Sequence, residues 1–382
     1  MSETSKKVKT QIEAQSKKDN ASQWRLMWNS FRQHRLAMFG GIIILLFYTI
    51  ALFAEFIAPF DPHASTSKNV YHPPQLIKFI DYDDNGSWSY RPHVQLMKLD
   101  RDTITLEGKF SPVQGRKVYL KLFTKGDPYK MWGKFNLSRH LIAPVNPDER
   151  FYLFGADRLG RDMLSRTIMG TRISMSIGLV GVALSLFIGI ILGGISGYYR
   201  GVTDTIIQRI IEIMIALPTI PLWLALSAAM PQDWSTTTRY FAITIILSLV
   251  GWTELARVVR GRFLTLKSED FVIAAKLDGG SQWRIIFRHI LPSMTSHIIA
   301  AVTLAIPAMI LAETALSFLG LGLQPPAVSW GVLLLEVQNI RSIAAGPWLF
   351  LPGAMVLIAV LSLNFLGDGL RDAADPYARK DH

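Results

Sequence analysis

The sequence predicts an all-α polytopic membrane protein with six transmembrane helices, a small β-rich insertion on the outer side and a contact-making loop on the cytoplasmic side. Three observations predict it. Half of the 382 residues are hydrophobic, and they gather in long blocks with the charges between them, a segregation that an ordinary soluble domain does not show. Six blocks reach the ~20 mainly apolar residues that cross about 30 Å of hydrocarbon. The excess of Lys and Arg, a formal net charge of +11, collects in short segments flanking the blocks, where it marks the cytoplasmic side. Such an excess also suits nucleic acid or anionic lipid, but its placement favours membrane loops, so lipid is expected as a partner and nucleic acid is not. With no cysteine in the chain, thiol catalysis, Cys-ligated zinc, iron–sulfur clusters and disulfides are excluded.

The elements follow in order. Residues 1–35 read as a cytoplasmic tail, lysine-rich and flexible over 1–23, with Trp24 and Trp28 at the membrane interface. Residues 36–60 (Leu36–Phe60) read as the first transmembrane helix. The block is too long, and starts too far from Met1, for a cleaved signal peptide. Residues 61–155 read as a periplasmic β-rich insertion. The runs His93–Leu99, Thr103–Leu106 and Lys117–Phe123 have strand composition, with turns expected at Asp100–Asp102 and Ser111–Arg116. Trp88, Tyr90, Trp132 and Phe135 are its candidate core; the alternative is that they line a docking or sugar-binding surface. Residues 156–370 form the transmembrane core, with spans at Ile173–Tyr199, Ile206–Met230, Phe241–Val258, Thr295–Leu319 and Trp348–Leu366, and 371–382 a cytoplasmic tail.

Charge gives the orientation. Arg25, Arg32 and Arg35 place the N-terminus inside, and seven basic residues from Arg257 to Arg288 place the loop between the fourth and fifth spans on the same side. Arg158, Arg161, Arg166 and Arg172 run against the rule, on the outer side of a long loop where it is weak.

Within the spans, Gly181, Ser185, Gly189, Gly193 and Gly197 recur every fourth residue. This is a strip for close helix packing, inside the chain or across a subunit interface; a glycine-lined pore is the alternative. Arg209 and Glu212, three apart, form a candidate structural ion pair, and Pro218 beyond them can kink the helix. Glu254 is expected to be solvated or paired with a loop arginine. Glu313, in the outer part of the fifth span, either contacts a substrate amine or closes an outer gate, or bonds to the backbone of a neighbouring helix.

The loop 268–292 carries the clearest functional signal. Ser268 and Asp270 can cap a helix bearing the small pair Ala274 and Ala275. Gly279 and Gly280 interrupt it, and Ser281 can cap a second helix. On that helix Trp283, Ile286 and Ile290 share an apolar face, with Arg284 and Arg288 on another, and Leu291-Pro292 leads into the next span. An apolar face on such a loop docks a partner; the alternative is a helix lying in the lipid interface.

Ala274-Ala275-Lys276-Leu277-Asp278-Gly279, nine further residues, then His289-Ile290-Leu291-Pro292 resembles the EAA loop of binding-protein-dependent ABC importer permeases, with Ile273 at the family's Glu position and His289 at its Ile position. FGADRLGRDMLSRTIMGTRISMSIGL at Phe154–Leu179, ALSFLGLGLQPPAVSWGV at Ala315–Val332 and NFLGDGLRDAADP at Asn364–Pro376 resemble the C-type subunit of the oligopeptide/dipeptide group. The insertion over 61–150 departs from the family's short form. The resemblance implies the type I ABC importer permease fold in a bacterial inner membrane. It also implies a second permease subunit as heterodimer partner, two ATPase subunits docking at the EAA loops, and a periplasmic substrate-binding protein. The chain itself has no G-x-x-x-x-G-K-[ST] loop. ATP and Mg are therefore expected on partner subunits, with no cofactor or metal bound by this chain. No H-E-x-x-H or G-x-S-x-G occurs either, and no catalytic residue is assigned. Oligopeptides or dipeptides are the expected cargo. The same machinery carrying oligosaccharides, and a secondary transporter, are the alternatives; the latter would call for more mid-membrane ionisable groups or paired broken helices.

Overall fold

The computed structural model describes residues 23–82, 87–101, 108–231 and 233–374. The expected flexible tail over 1–22, the run at 103–106 and residues 375–382 lie outside the described residues. Among the described residues five helices are long and apolar enough to cross a membrane. They are α2 (Arg35–Leu52), α4 (Met163–Tyr199), α7 (Thr236–Leu266), α11 (Thr295–Phe318) and α14 (Leu351–Ala374).

The third expected span, Ile206–Met230, is a broken one. It consists of α5 (Gly201–Ala216) and α6 (Thr219–Ala228), bent by 86° at Leu217–Pro218. Proline offers no N–H to the preceding turn and forces the residue before it out of the helical region, and Leu217 is extended. The kink foreseen at Pro218 is thus a full break.

Helix contacts fix the connectivity. Gly40 of α2 meets Ser362 and Leu366 of α14, and Gly369 meets Ala37, so these two helices run antiparallel. A β-carbon at Gly189 would meet Leu255, and one at Gly197 would meet Phe263, so α4 and α7 run parallel, with α5 and α6 returning between them. Gly178 and Gly181 meet Ile310 and Met309 of α11, which runs the other way. The start of α2, the end of α14 and the segment after α7 therefore share one end of the bundle. The insertion and residues 319–350, which include the short helix α13 (Ile340–Ala345), share the other. A short helix, α1 (Gln23–Gln33), precedes α2 and buries Phe31 against Ala37 and Ala373.

The first span ends earlier than the hydrophobic run. Helix α2 stops at Leu52, and a single turn, α3 (Ala54–Ile57), follows. Arg172 of α4 supplies the reason: its guanidinium donates to the carbonyls of Ala51 (2.7 Å) and Leu52 (3.2 Å) and pairs with Glu55. Helix-end carbonyls need such donors. The other arginines that broke the charge rule are also engaged: Arg158 with Glu336 (2.9 Å), and Arg161 and Arg166 with Asp157 (2.6 and 3.6 Å).

The insertion is a four-stranded antiparallel sheet in the order β1 (Lys78–Tyr82), β2 (Trp88–Arg101), β3 (Gly108–Met131) and β4 (Phe135–Pro144). The long β3 pairs with β2 through its first half and with β4 through its second. Ser111–Arg116, expected as a turn, lies inside β3. Ser111 and Pro112 pair with Lys98 and Met97, and a bulge absorbs the rest before Lys117 pairs with Gln95; Gly115 has the positive φ that such a bulge takes. The core is Phe60, Val94, Val118, Leu120 and Phe151. The four aromatics expected there, Trp88, Tyr90, Trp132 and Phe135, are all exposed. Alternation puts Val94, Val118 and Leu120 on the covered face, and the aromatics fall at strand ends and on the hairpin tip beyond it. Asp81 accepts a hydrogen bond from Tyr119 Oη (2.8 Å) and pairs with Lys117, which holds its carboxyl below the usual carboxylate range.

Candidate coupling surface and transmembrane cavity

The segment after α7 is two short helices on a firm mount. Helix α8 (Asp270–Leu277) starts after Glu269 without a side-chain cap. Ser268, an expected cap, instead donates to the Thr265 carbonyl (2.9 Å). At Gly279 the chain turns with φ +73, and the N–H groups of Gly279 and Gly280 close on the carbonyls of Lys276 and Ala275 (3.0 Å each). This positive φ is one that glycine adopts without strain. Ser281 then caps α9 (Gln282–Ile285), accepting from the Arg284 N–H. A π-helical turn, Ile286–Ile290, runs into α10 (Leu291–Ser293).

That π turn reassigns the apolar face. Ile285 and Ile290 point inward and pack with Tyr198, Val259, Phe263, Val272 and Met294. Trp283, expected to share a face with Ile290, instead stacks on Phe287 in the open, with ring centroids 5.6 Å apart and planes 14° apart. Trp283 is 66% and Leu277 83% exposed. Around them Ile273, Ala274, Arg284, Arg288 and Pro292 are exposed, while Ala275 and Leu291 are half-buried. The outer surface is thus an apolar knob rimmed by cations, and the inner surface is welded to α4 and α7. Tyr199 Oη donates to Gln282 (2.9 Å), and Lys267 reaches the Tyr198 carbonyl. Nearby, Arg260 of α7 makes a two-pronged bond to Asp204 of α5 (2.6 and 2.7 Å), a fork geometry stronger than a single bond.

From Ser185 to Gly197 the small-residue strip lies along the α4–α7 contact, while Gly181 at its head faces Met309 of α11. Ser185 donates to the Ser248 carbonyl (3.3 Å), and Ser248 Oγ shares its proton between the Thr244 carbonyl of its own helix (2.6 Å) and the Gly181 carbonyl of α4 (3.0 Å). A β-carbon at Gly193 would come within 2.9 Å of Ala256 Cα. Only glycine admits that approach.

Between α4, the α5–α6 break, α7 and α11 lies a cavity of about 650 Å³. Its walls include Ser185, Trp223, Leu247, Met309 and, on one helical turn of α7, Glu254 and Arg257. Glu254 appeared in the sequence only as a solvated or paired charge, and Trp223 and Arg257 were not singled out as lining residues, because lining is set by the 86° bend. Glu313 is not among the cavity's lining residues. Its side chain is fully buried and accepts from Ser317 Oγ (2.9 Å), Ser329 Oγ (2.8 Å) and Ser174 Oγ (3.4 Å). It ties α11 to α4 and to the start of α12 (Trp330–Leu334), where the Trp330 N–H donates to Ser174 (3.1 Å). Arg209 and Glu212 do pair, at 2.7 Å, on an exposed face of α5, where such a pair contributes less than about 1 kcal/mol.

Comparison with known proteins agrees with this architecture. The sequence model of the binding-protein-dependent transport system inner membrane component matches residues 164–380, and that of the N-terminal transmembrane domain of oligopeptide transport permease C matches 22–74. The chain is 39% identical over 286 residues to the dipeptide transport system permease protein of Bacillus subtilis, covering 74% of this chain and 85% of that one. It is 37% identical over 252 residues to the oligopeptide transport system permease protein of the same organism, covering 65% and 80%. To the glutathione transport system permease protein of Pectobacterium atrosepticum it is 30% identical over 353 residues, covering 92% and 91%. The chain belongs to the family of binding-protein-dependent transport system inner membrane components: it is a multi-pass ABC transporter permease subunit. Members of this family are not themselves enzymes and work with ATPase partners.

Proposed function

We propose that this chain forms half of the translocation pathway of an ATP-driven importer of oligopeptides or dipeptides in a bacterial inner membrane, with both termini cytoplasmic. In this reading the broken pair α5–α6 is the sixth crossing, and the sheet stands in the periplasm. A second permease subunit completes the pathway. Two ATPase subunits hold ATP and Mg, and a periplasmic binding protein delivers the cargo. The peptide cargo is supported by the names of the three relatives. The coupling role is supported above all by the exposed Trp283–Phe287 pair on a segment whose other face is buried against α4 and α7. ATPase closure presses on that pair. The push reaches Val259 and Phe263 through Ile285 and Ile290, and α4 and α7 move together because their glycine contact leaves no slack. The cavity beside them then changes which end it opens to, a rocking of packed units.

Two substitutions on the assembled transporter test the coupling. Gly279→Trp and Trp283→Ala should leave the subunits associated while abolishing the rise in ATP hydrolysis on adding loaded binding protein. A β-carbon at Gly279 meets open space, so the damage is the backbone strain of a Trp at φ +73, which stays at the joint. Normal coupling in both variants would falsify the docking role.

A further inference from the structure

We infer that the β3–β4 hairpin is a membrane foot, its aromatic tip seated in the headgroup region of a bilayer that contains anionic lipid. Its height is fixed by a hydrogen bond: Trp132 Nε1, at the tip, donates to the carbonyl of Leu52 (2.8 Å), the last residue of the first span. The tip therefore stands where α2 leaves the hydrocarbon. Rings gather beside the first span in two groups: Phe53 and Phe135 lie 6.4 and 6.3 Å from Trp132 between centroids, and Phe123 lies 6.0 Å from Phe56. Trp132, Phe135 and Phe123 are each about half exposed or more. The patch continues the exposed apolar flank of α2, formed by Phe39, Ile42, Leu45 and Leu46.

Charge chooses the occupant. Lys121, Lys125, Lys130, Lys134 and Arg139 are all exposed on this hairpin. Its single acid, Asp127, is bonded to Arg150 (3.4 Å). Protein-binding patches are depleted of lysine at their cores, whereas a Trp and Phe tip flanked by Lys130 and Lys134, with further cations back along the strands, is the composition of a membrane-surface element. Trp132 fits further: its ring is half exposed while its one polar atom is satisfied, and such rings settle at the membrane–water boundary.

The absence of cysteine from the sequence makes the test direct. Single substitutions Phe135→Cys and Lys134→Cys in the full chain, with its co-isolating subunits, carry an environment-sensitive fluorophore. Lys109→Cys, at the other end of β3, is the control. In nanodiscs containing phosphatidylglycerol, a quencher attached near the headgroup end of the lipid chains should quench the tip labels severalfold and leave the control bright. Replacing Lys121, Lys125, Lys130 and Lys134 with Gln should remove the dependence of that quenching on phosphatidylglycerol. Tip labels as open to aqueous iodide as the control would overturn the inference. So would labels shielded from both quenchers, which would put a protein partner on the patch instead.

Discussion

At the scale of single residues, Glu313 shows how a polar group inside a span can be held by its neighbours. In the sequence a gate role and a helix-bonding role stood level. The structure adds three serine hydroxyls from three separate stretches of chain, all within 3.4 Å of the carboxylate. Ser174 and Ser329 are too far away in sequence for any local motif to have linked them. Glu313→Gln keeps one oxygen to accept from Ser317 and Ser329, and its amide N–H can donate to Ser174 Oγ in place of the bond the second oxygen received, so it should melt in detergent within a few degrees of the parent. Glu313→Leu leaves them without their partner at about 1–3 kcal/mol each, and should melt far lower; equal melting of the two variants would speak against the clamp. The Arg209–Glu212 pair was readable from its three-residue spacing, and its exposure explains why little stability should ride on it.

Among the elements, the α4–α7 contact was legible as a strip of small residues, because the period of four is written in one segment. Its partner was not, since Ala256, Val259 and Phe263 lie some sixty residues further on. Replacing Gly193 with Val would drive the helices apart and should destabilise the protein by ~1–3 kcal/mol, as overpacking does, read as a lower melting temperature. The sheet shows the opposite balance. Strand composition located it, but large aromatics pointed to the wrong core, because size and hydrophobicity do not tell a covered face from an exposed tip. The early end of α2 was also invisible, being set by Arg172 from another helix.

The loop that leads into the sheet holds a titration of its own. Buried His72, packed between the rings of Phe110 and Tyr152 at 4.6 Å each, has its pKa lowered from 6.5 to about 4 by loss of water. The unfolded chain takes up this proton near pH 6.5 and the folded chain near 4. Stability is therefore full above pH 6.5 and falls as pH drops towards 4, by about 3 kcal/mol at 1.36 per pH unit. Melting curves at pH 7.5 and 4.5 should show the fall, and His72→Phe should blunt it; an undiminished fall would assign it to other groups.

For the whole molecule, the order of crossings was carried by hydrophobic block length, the strongest signal a membrane protein writes into its sequence. Prolines and glycines then set the break at Leu217–Pro218 and the joint at Gly279. What the blocks do not contain is how they enclose space. The cavity exists because a broken α5–α6 stands off from α4, α7 and α11, and its volume and its Glu254–Arg257 wall emerge only with the packing. The exposed Trp283–Phe287 surface, the paired helices behind it and the cavity beside them fit the proposed account, in which another molecule supplies the force. The most direct test is to isolate the tagged full chain from gently solubilised membranes and identify by mass spectrometry what accompanies it. The account predicts a second permease subunit and nucleotide-hydrolysing subunits in fixed proportion, the latter lost when Trp283 and Phe287 are both replaced by Asp. A chain that purifies alone, or only with copies of itself, would contradict it and make the segment 268–292 a helix pair lying on lipid.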